Sequence, residues 1–357
     1  MVNTNPDPIK EYYIAYFDIL GYKEFFRQHS EQIPELLSAI HDAIQRTNEH
    51  IKTANQSPIM REIANIDIHV KIFSDNVLLC MEVADNATIE KTRLLAFFQM
   101  IADIQRGFVN EYGLFVRGGI VKGFISFNDD YVFGQGLIDV VAMEESAQYP
   151  RIVIEKSLID YLYSNTFYTD DESNRALGIE NRVKKDEPVS SAELTFLEEM
   201  CNRASLFYVI KLAAEKLVCK WADGVYVLCY LVRIQAAELL GEQVTTALSN
   251  LIQTMSPSDY ALISQPTADI GNRLSQHKSR VEEKLKEFGS NADIADGNIR
   301  GAELREKVLR KYMWVMAFHN CVCDYYKKPE YKILTRCNCD VRFLKMTLEV
   351  LKDETGI

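Results

Sequence analysis

The spacing of apolar residues changes period several times over the first 155 positions. Tyr12 to Phe17 is an aromatic and β-branched run, the composition of a strand. Over residues 22–54 the period lengthens. Ile33, Leu36, Leu37, Ile40, Ile44 and Ile51 recur at helical spacing and predict one or two helices. Ile66 to Phe73 alternates again and Asn76 to Met81 is apolar, so residues 63–83 predict a hairpin turning at Ser74 and Asp75. Leu94, Leu95, Phe98, Ile101, Ile104 and Phe108 share one face of a helix over 87–112. Residues 114–127 are extended again, 137–148 are helical, and Arg151 to Ile154 forms a short strand.

The resulting order is β, α, β-hairpin, α, β-hairpin, α, β. It lacks the regular βαβ alternation of a doubly wound parallel sheet. It fits an α+β fold: a ferredoxin-like sheet with helices mainly on one face. After Glu155 the pattern loosens. Residues 168–193 are polar and charged and predict a surface excursion. Leu217 to Leu231 return to strand-like text around the turn Ala222-Asp223-Gly224. Residues 233–255, 272–288 and 302–327 predict helices, with a loop at 289–298. The chain therefore divides into a core unit, 1–235, and a helical C-terminal extension, 236–357. The extension either packs on the core or extends a dimer.

Composition narrows the function classes. With 357 residues, 47% hydrophobic and 25% charged, the chain is globular and long enough for one large or two ordinary domains. A net charge of −11 argues against binding to nucleic acid or to anionic membranes, which need a basic surface. A local basic pocket for a small anion remains compatible. No stretch of 18 apolar residues occurs, so no membrane span is expected. The N-terminus, Met1 to Lys10, is polar with two prolines and does not resemble a signal peptide. Eight cysteines, several in apolar runs, fit buried free thiols in a reducing, cytoplasmic compartment.

Two carboxylates stand out. Asp18 lies in Tyr16-Phe17-Asp18-Ile19-Leu20-Gly21-Tyr22 and Asp75 in Lys71-Ile72-Phe73-Ser74-Asp75-Asn76, each just after an apolar strand. A charge at the end of a buried strand is costly unless it is used or paired. Two of them, with a small residue at Gly21 for close backbone approach, suit Mg²⁺ carrying a triphosphate. Structural alternatives exist for each residue. Asp18 could cap a following helix, Asp75 could be turn chemistry, Arg117 could pair with Glu111 or Asp103, and Lys71 could be a solvated strand residue. Cys321-x-Cys323 and Cys337-x-Cys339 could supply thiolates for zinc, but the spacing differs from the usual knuckle. Within a helix, an i, i+2 pair also points to different faces. Gly134-Gln135-Gly136 lacks the third glycine of a dinucleotide fingerprint, because position 139 is Asp. The stripe Leu304, Val308, Tyr312, Val315, Phe318 and Val322 reads as core. His319 reads as a packing histidine, His69 as a strand residue without an evident partner, and Arg182 to Lys185 as a solvated loop.

The series Asp18, Asp75, Arg117-Gly118-Gly119-Ile120, Phe133-Gly134-Gln135-Gly136 and Tyr149-Pro150-Arg151-Ile152 resembles the class III nucleotidyl cyclase catalytic domain over roughly residues 10–155. Residues 17–21 match the family's Phe-Asp-Ile-x-Gly string. Lys71 and Asp75 match its Lys-x-x-Gly-Asp hairpin, with Ser74 in place of glycine. Arg117, Gly119 and Ile120 match its Arg-x-Gly-Ile strand. The resemblance implies that Asp18, Asp75 and the Ile19 carbonyl hold two Mg²⁺ or Mn²⁺ ions, and that Leu20, Gly21 and Tyr22 cradle phosphates. It implies that Arg117 contacts the triphosphate, that Lys71 helps read the base, and that active sites form between the protomers of a homodimer. The reaction implied is attack of the ribose 3′ oxygen on the α-phosphate with release of pyrophosphate. Many members carry an Asn and an Arg four residues apart in the helix after the Gly-rich turn. Here residues 136–145 have neither. That departure points either to replacement groups or to a silent nucleotide-binding sensor. The string around Asp18, the approach to Tyr149-Pro150-Arg151-Ile152 and the late Lys311-Tyr312-Met313-Trp314…His319-Asn320 are similar to the Pycsar pyrimidine cyclases of bacterial anti-phage defence. This narrower likeness implies cyclic UMP or cyclic CMP made from UTP or CTP, with UTP favoured, acting on a downstream effector. A purine cyclase of ordinary signalling is the further alternative.

Overall fold

A computed structural model describes residues 8–53, 68–128, 131–221, 223–232, 270–289 and 299–334. The first half runs β1 (Lys10–Leu20), α1 (Tyr22–Gln28), a 3₁₀ turn, α2 (Ile33–Thr53), β2 (Ile68–Phe73), β3 (Asn76–Glu82), α3 (Ala87–Tyr112) and β4 (Phe115–Phe127). The strands lie in the order β2-β3-β1-β4, and every neighbouring pair is antiparallel. This is the expected ferredoxin-like βαββαβ sheet. A two-residue strand, β5 (Val132–Phe133), hairpins back onto β4, and α4 (Gln135–Ser146) follows. β6 (Ile152–Ile154) then joins β4 in parallel. After α5 (Lys156–Tyr163), α6 (Asp170–Lys184) and α7 (Ser191–Leu217), the short strands β7 (Val218–Lys220) and β8 (Tyr226–Leu228) complete the far edge.

Alternation along β1 sorts its side chains to two faces. Tyr13, Ala15, Phe17 and Ile19 enter the main core, with the apolar face of α3. Tyr12 and Ile14 enter a smaller cluster with Val140 of α4. The helices thus lie mainly on one face, and α4 covers the other. The predicted face of α3 is buried throughout, from Leu94 to Phe108. On α2, Leu36 and Ile40 are buried but Leu37 faces solvent. The side chains of Ile44 and Ile51 lie outside the described residues, as do 63–67 of the expected hairpin, residues 290–298 of the expected loop and the whole of the helix expected over 233–255.

The polar stretch 168–193 lies mostly at the surface, as expected, and is largely helical. Two capping boxes start its helices: Thr169 with Glu172, and Ser190 with Glu193. Each joins the N-cap hydroxyl to the N3 amide and the N3 carboxylate to the N-cap amide, which satisfies the open end of the helix. Arg182, read as part of a solvated loop, sits in the last turn of α6 and pairs with Glu193.

The C-terminal helices α8 (Ile270–Gly289) and α9 (Ile299–Tyr325) share the main core with the sheet through Leu274, Val281, Tyr312, Trp314, Val315 and Phe318. The boundary expected at 235/236 falls outside the described residues. Among those described, no helix is long and apolar enough to cross a membrane.

A chain of hydrogen bonds ties β8 to both helices. Tyr230 Oη lies 2.7 Å from His277 Nε2, and His277 Nδ1 lies 3.0 Å from His319 Nδ1. His319 Nε2 is 2.9 Å from the Tyr331 carbonyl. A carbonyl only accepts, so His319 carries its proton on Nε2 and accepts on Nδ1. His277 must then donate from Nδ1 and accept the Tyr230 hydroxyl at Nε2. Both rings are neutral in this arrangement, and both are fully buried. Burial, and then His319, push the His277 pKa well down. Burial lowers that of His319 against the opposing pull of the Tyr331 carbonyl, and Lys278 lowers it a little further.

An unfolded chain takes up protons near the ordinary histidine pKa of about 6.5 that the folded chain refuses, so these groups make stability rise with pH through that range. The melting temperature is expected to fall between about pH 7.5 and pH 5.5. The slope should flatten in His277→Gln. Equal slopes in the two proteins would show that the histidine pair is not its source.

Candidate functional site

The C-terminal end of β1 carries the site. Asp18 aligns with Asn76 of β3 on one side and Arg117 of β4 on the other. The preceding residue of the hairpin turn is Asp75. The turn is held against β1 by the Ile19 amide, which donates to the Asp75 carbonyl at 2.7 Å. In an extended strand a residue's N–H and C=O point to the same side, so the Ile19 carbonyl faces this turn too. The sheet register therefore brings Asp18, Asp75 and the Ile19 carbonyl to one place.

Burial pushes the Asp18 carboxyl above the usual carboxylate range. Arg117 pulls it back, and the charge of Asp75 adds to the rise. The two carboxylates share one field. Arg117 Nη2 stands 3.8 Å from Asp18 Oδ2, and the Asn76 amide reaches Asp75 Oδ1 at 3.4 Å. Such hard oxygen donors fit Mg²⁺ or Mn²⁺. Mg²⁺ in particular is commonly held by one or two carboxylates and completed by substrate phosphates. The described residues contain no cluster of three or more acidic, His or Cys side chains placed for a metal. A cation here would need phosphate oxygens to complete its shell.

Arg117 does not pair with Glu111 or Asp103. Its Nε and Nη2 both lie 2.5 Å from Glu144 Oε1, and Glu144 is buried. Glu144 sits in the last turn of α4, where the helix dipole disfavours an anion. Burial raises its pKa, and the Arg117 guanidinium opposes that rise. Gly119 explains how α4 comes so close. It follows Arg117 by two residues on the same sheet face, and a Cβ there would lie 2.5 Å from Met143 Cγ and 3.2 Å from the Glu144 amide. The glycine of the Arg-x-Gly-Ile string is thus a seat for the helix that carries Glu144.

Gly21 adopts φ 81°, and a Cβ on it would meet nothing within 4 Å. Its conformation, rather than crowding by the chain, is what glycine supplies between β1 and α1. Leu20 and Tyr22 flank it, half-buried, and Tyr22 leans on Phe26. Ser74 stands at φ 61°, the first central position of a two-residue hairpin between Phe73 and Asn76. A positive φ there alone is the type II′ pattern, which favours glycine. Lys71 shares a cross-strand row with Leu78 and Tyr16, two strands from β1, and its ammonium lies 5.6 Å from the Phe127 ring centroid. It faces the same side as Asp18 but is not brought to it.

Sequence reasoning assigns Glu144 no role, and Lys311 enters it only within the string Lys311-Tyr312-Met313-Trp314, without a site role. Glu144 lies in the helix that lacks the Asn and the Arg. Lys311, on α9, acts electrostatically on Asp18 and shares the field of Arg117 and Glu144. The cysteine pairs give no metal site among the described residues. Cys323 is buried with its thiol pushed up to about 11 by desolvation, Cys321 is partly exposed, and Cys337 and Cys339 lie outside those residues. His319 is a core histidine, and His69 packs on Phe127 at 4.8 Å between ring centroids.

No protein-family profile and no curated protein matches this chain. Among solved structures, it is similar to the guanylyl cyclase Cya2, with a TM-score of 0.26 and 9% identity over 44% of this chain and 80% of that one. A score that low carries no weight for function, and the site has to be read from its own geometry.

Ser74→Gly is expected to stabilise the fold by about 0.5–1 kcal/mol, because the left-handed cost to an L-residue slightly exceeds the chain entropy that glycine loses. Chemical denaturation reads it, and a destabilised variant would contradict the strain. Gly119→Ala should cost about 1–3 kcal/mol by pushing Met143 and α4 away. A neutral result would mean that α4 is not seated on that glycine.

Proposed function

We propose that the chain is a metal-dependent nucleotidyl cyclase. It converts a pyrimidine nucleoside triphosphate, UTP before CTP, to the 3′,5′-cyclic nucleotide and pyrophosphate. The observation that carries this reading is the meeting of Asp18 and Asp75 at adjoining strand ends, with Arg117 beside Asp18 at 3.8 Å. Two Mg²⁺ or Mn²⁺ ions on Asp18, Asp75 and the Ile19 carbonyl would lower the pKa of the ribose 3′ hydroxyl and neutralise charge on the leaving pyrophosphate. Asp18 and Asp75 would bind from the end of β1, where the left-handed Gly21 turns the backbone into α1. Arg117 stands beside Asp18 to orient the phosphates, which requires that it exchange or share its contact with Glu144. Positioning supplies much of the remaining acceleration. Lys71, on the same sheet face, is the candidate for contact with the base. The working unit is a homodimer with sites at the interface, and its cyclic product is a second messenger of anti-phage defence that reaches an effector. The pyrimidine preference and the defence role follow the family resemblance. Base choice itself rests on pocket shape and a few hydrogen bonds.

The Arg117–Glu144 pair also favours a second reading, a nucleotide-binding sensor without turnover, since it occupies the one arginine of the site. Incubating the pure protein with each labelled NTP and Mn²⁺ separates the readings and detects purine use. A cyclic pyrimidine product is expected from the wild type and none from Asp18→Ala or Asp75→Ala. Mn²⁺ should raise the wild-type melting temperature and leave both variants unmoved. Turnover retained in either variant, with normal unfolding, removes the metal assignment.

A further inference from the structure

The C-terminal helix α9 crosses the end of the sheet where the site lies. Tyr312 packs edge-on against Phe115, 5.3 Å between ring centroids, and Phe115 opens β4 two residues before Arg117. Two residues further along α9, Trp314 stacks on Tyr149 at 5.9 Å and lies over the Arg151 guanidinium at 5.7 Å. These aromatic contacts fix α9 against the start of β4 and the segment leading into β6. The residue just before Tyr312 is Lys311, which is half-buried.

Its surroundings are unusual for a lysine. Arg117 and Lys307 repel its charge, while Asp18 and Glu144 attract it. Among the described residues its ammonium makes neither a hydrogen bond nor an ion pair. Glu144 is already held by Arg117, and Asp18 faces Asp75. Withdrawal from water and the two cations lower its pKa. A half-buried ammonium without a hydrogen-bond acceptor, beside a second cation and at the mouth of an acidic pair, calls for an anionic ligand with several acceptor oxygens.

We propose that Lys311 is a substrate-contacting residue whose ammonium binds the phosphate chain of the nucleotide at the Asp18–Asp75 site. The proposal deepens the nucleotide reading above and rests on it for the identity of the substrate. It assigns to the C-terminal helix of the same chain a cation that α4 does not provide. Because the contact is to phosphate and not to the base, it acts alike on every nucleotide that the site accepts.

Inorganic pyrophosphate, the phosphate chain without a base, is the probe. Its affinity is measured by calorimetry on the full chain with Mn²⁺ for wild type, Lys311→Met, Lys311→Arg and Lys307→Ala, each checked by thermal melting. Lys311→Met keeps the length of the stem and the packing around it. It is expected to weaken pyrophosphate at least tenfold, Lys311→Arg to restore most of that loss, and Lys307→Ala to change it less than twofold. Loss of kcat/KM in Lys311→Met should be equal across the NTPs used. Wild-type pyrophosphate affinity in Lys311→Met overturns the proposal, as does an equal loss in Lys307→Ala. If no NTP is cyclised but pyrophosphate binds in a Lys311-dependent way, the phosphate contact stands and the cyclase reading falls. If wild type does not bind pyrophosphate at all, both fall.

Discussion

The antiparallel registers of β1 with its two neighbours decide where Asp18, Arg117 and Asp75 stand. Pairing with β4 sets Asp18 opposite Arg117, and Phe17 opposite Gly118 on the other face. A slip of one residue would turn Asp18 into the apolar core and Phe17 out to solvent, because side chains alternate with a period of two. The ladder resists such a slip through burial of Tyr13, Ala15, Phe17 and Ile19 on one face and of Tyr12 and Ile14 on the other. On its other side, the β1–β3 register leaves the last residues of β1 next to the β2–β3 turn, and the Ile19 amide holds Asp75 there.

Electrostatics at the site follow from partial burial. Asp18 and Glu144 both lose hydration, and one guanidinium serves them unequally: at contact distance for Glu144, at 3.8 Å for Asp18. Removing Arg117 would leave a buried carboxylate uncompensated, a far costlier state than loss of a surface pair. Gly119 is what allows this arrangement, since any side chain there would lift the helix bearing Glu144. Lys311 enters from a helix that belongs to the main core, so the helical extension and the sheet are coupled through packing as well as charge.

The regular part of this fold was legible in the sequence because its hydrophobic periods are long and clean. The strand at Tyr12 to Phe17, the hairpin around Ser74 and Asp75, and the buried stripe of α3 all stand where their periods place them. The meeting of Asp18 with Asp75 was legible as two strand-end carboxylates. The stretch 168–193 lies largely at the surface, as its polarity suggests, but its helices went unread because the two capping boxes, Thr169 with Glu172 and Ser190 with Glu193, were not recognised. A site role for Glu144 could not be found locally, and Lys311 stood in the string Lys311-Tyr312-Met313-Trp314 without one. Each sits in an ordinary amphipathic helix, and only the crossing of α4 over Gly119 and of α9 over Phe115 gives it a role. The partner of Arg117 was likewise missed, since Glu111 and Asp103 are nearer in sequence and Glu144 is nearer in space.

Chain connectivity adds a consequence for biosynthesis. Trp221 and Tyr230, at the far edge of the sheet, pack against Trp314 and Phe318 of α9, and the buried histidines wait for the same helix. A ribosome delivers the motif-bearing strands well before this aromatic cover. Until then the nascent chain displays a sticky aromatic face that it cannot close by itself, and such long-range closure is slow and prone to aggregation. Truncation within α9 should therefore yield a misfolded product rather than a smaller folded one.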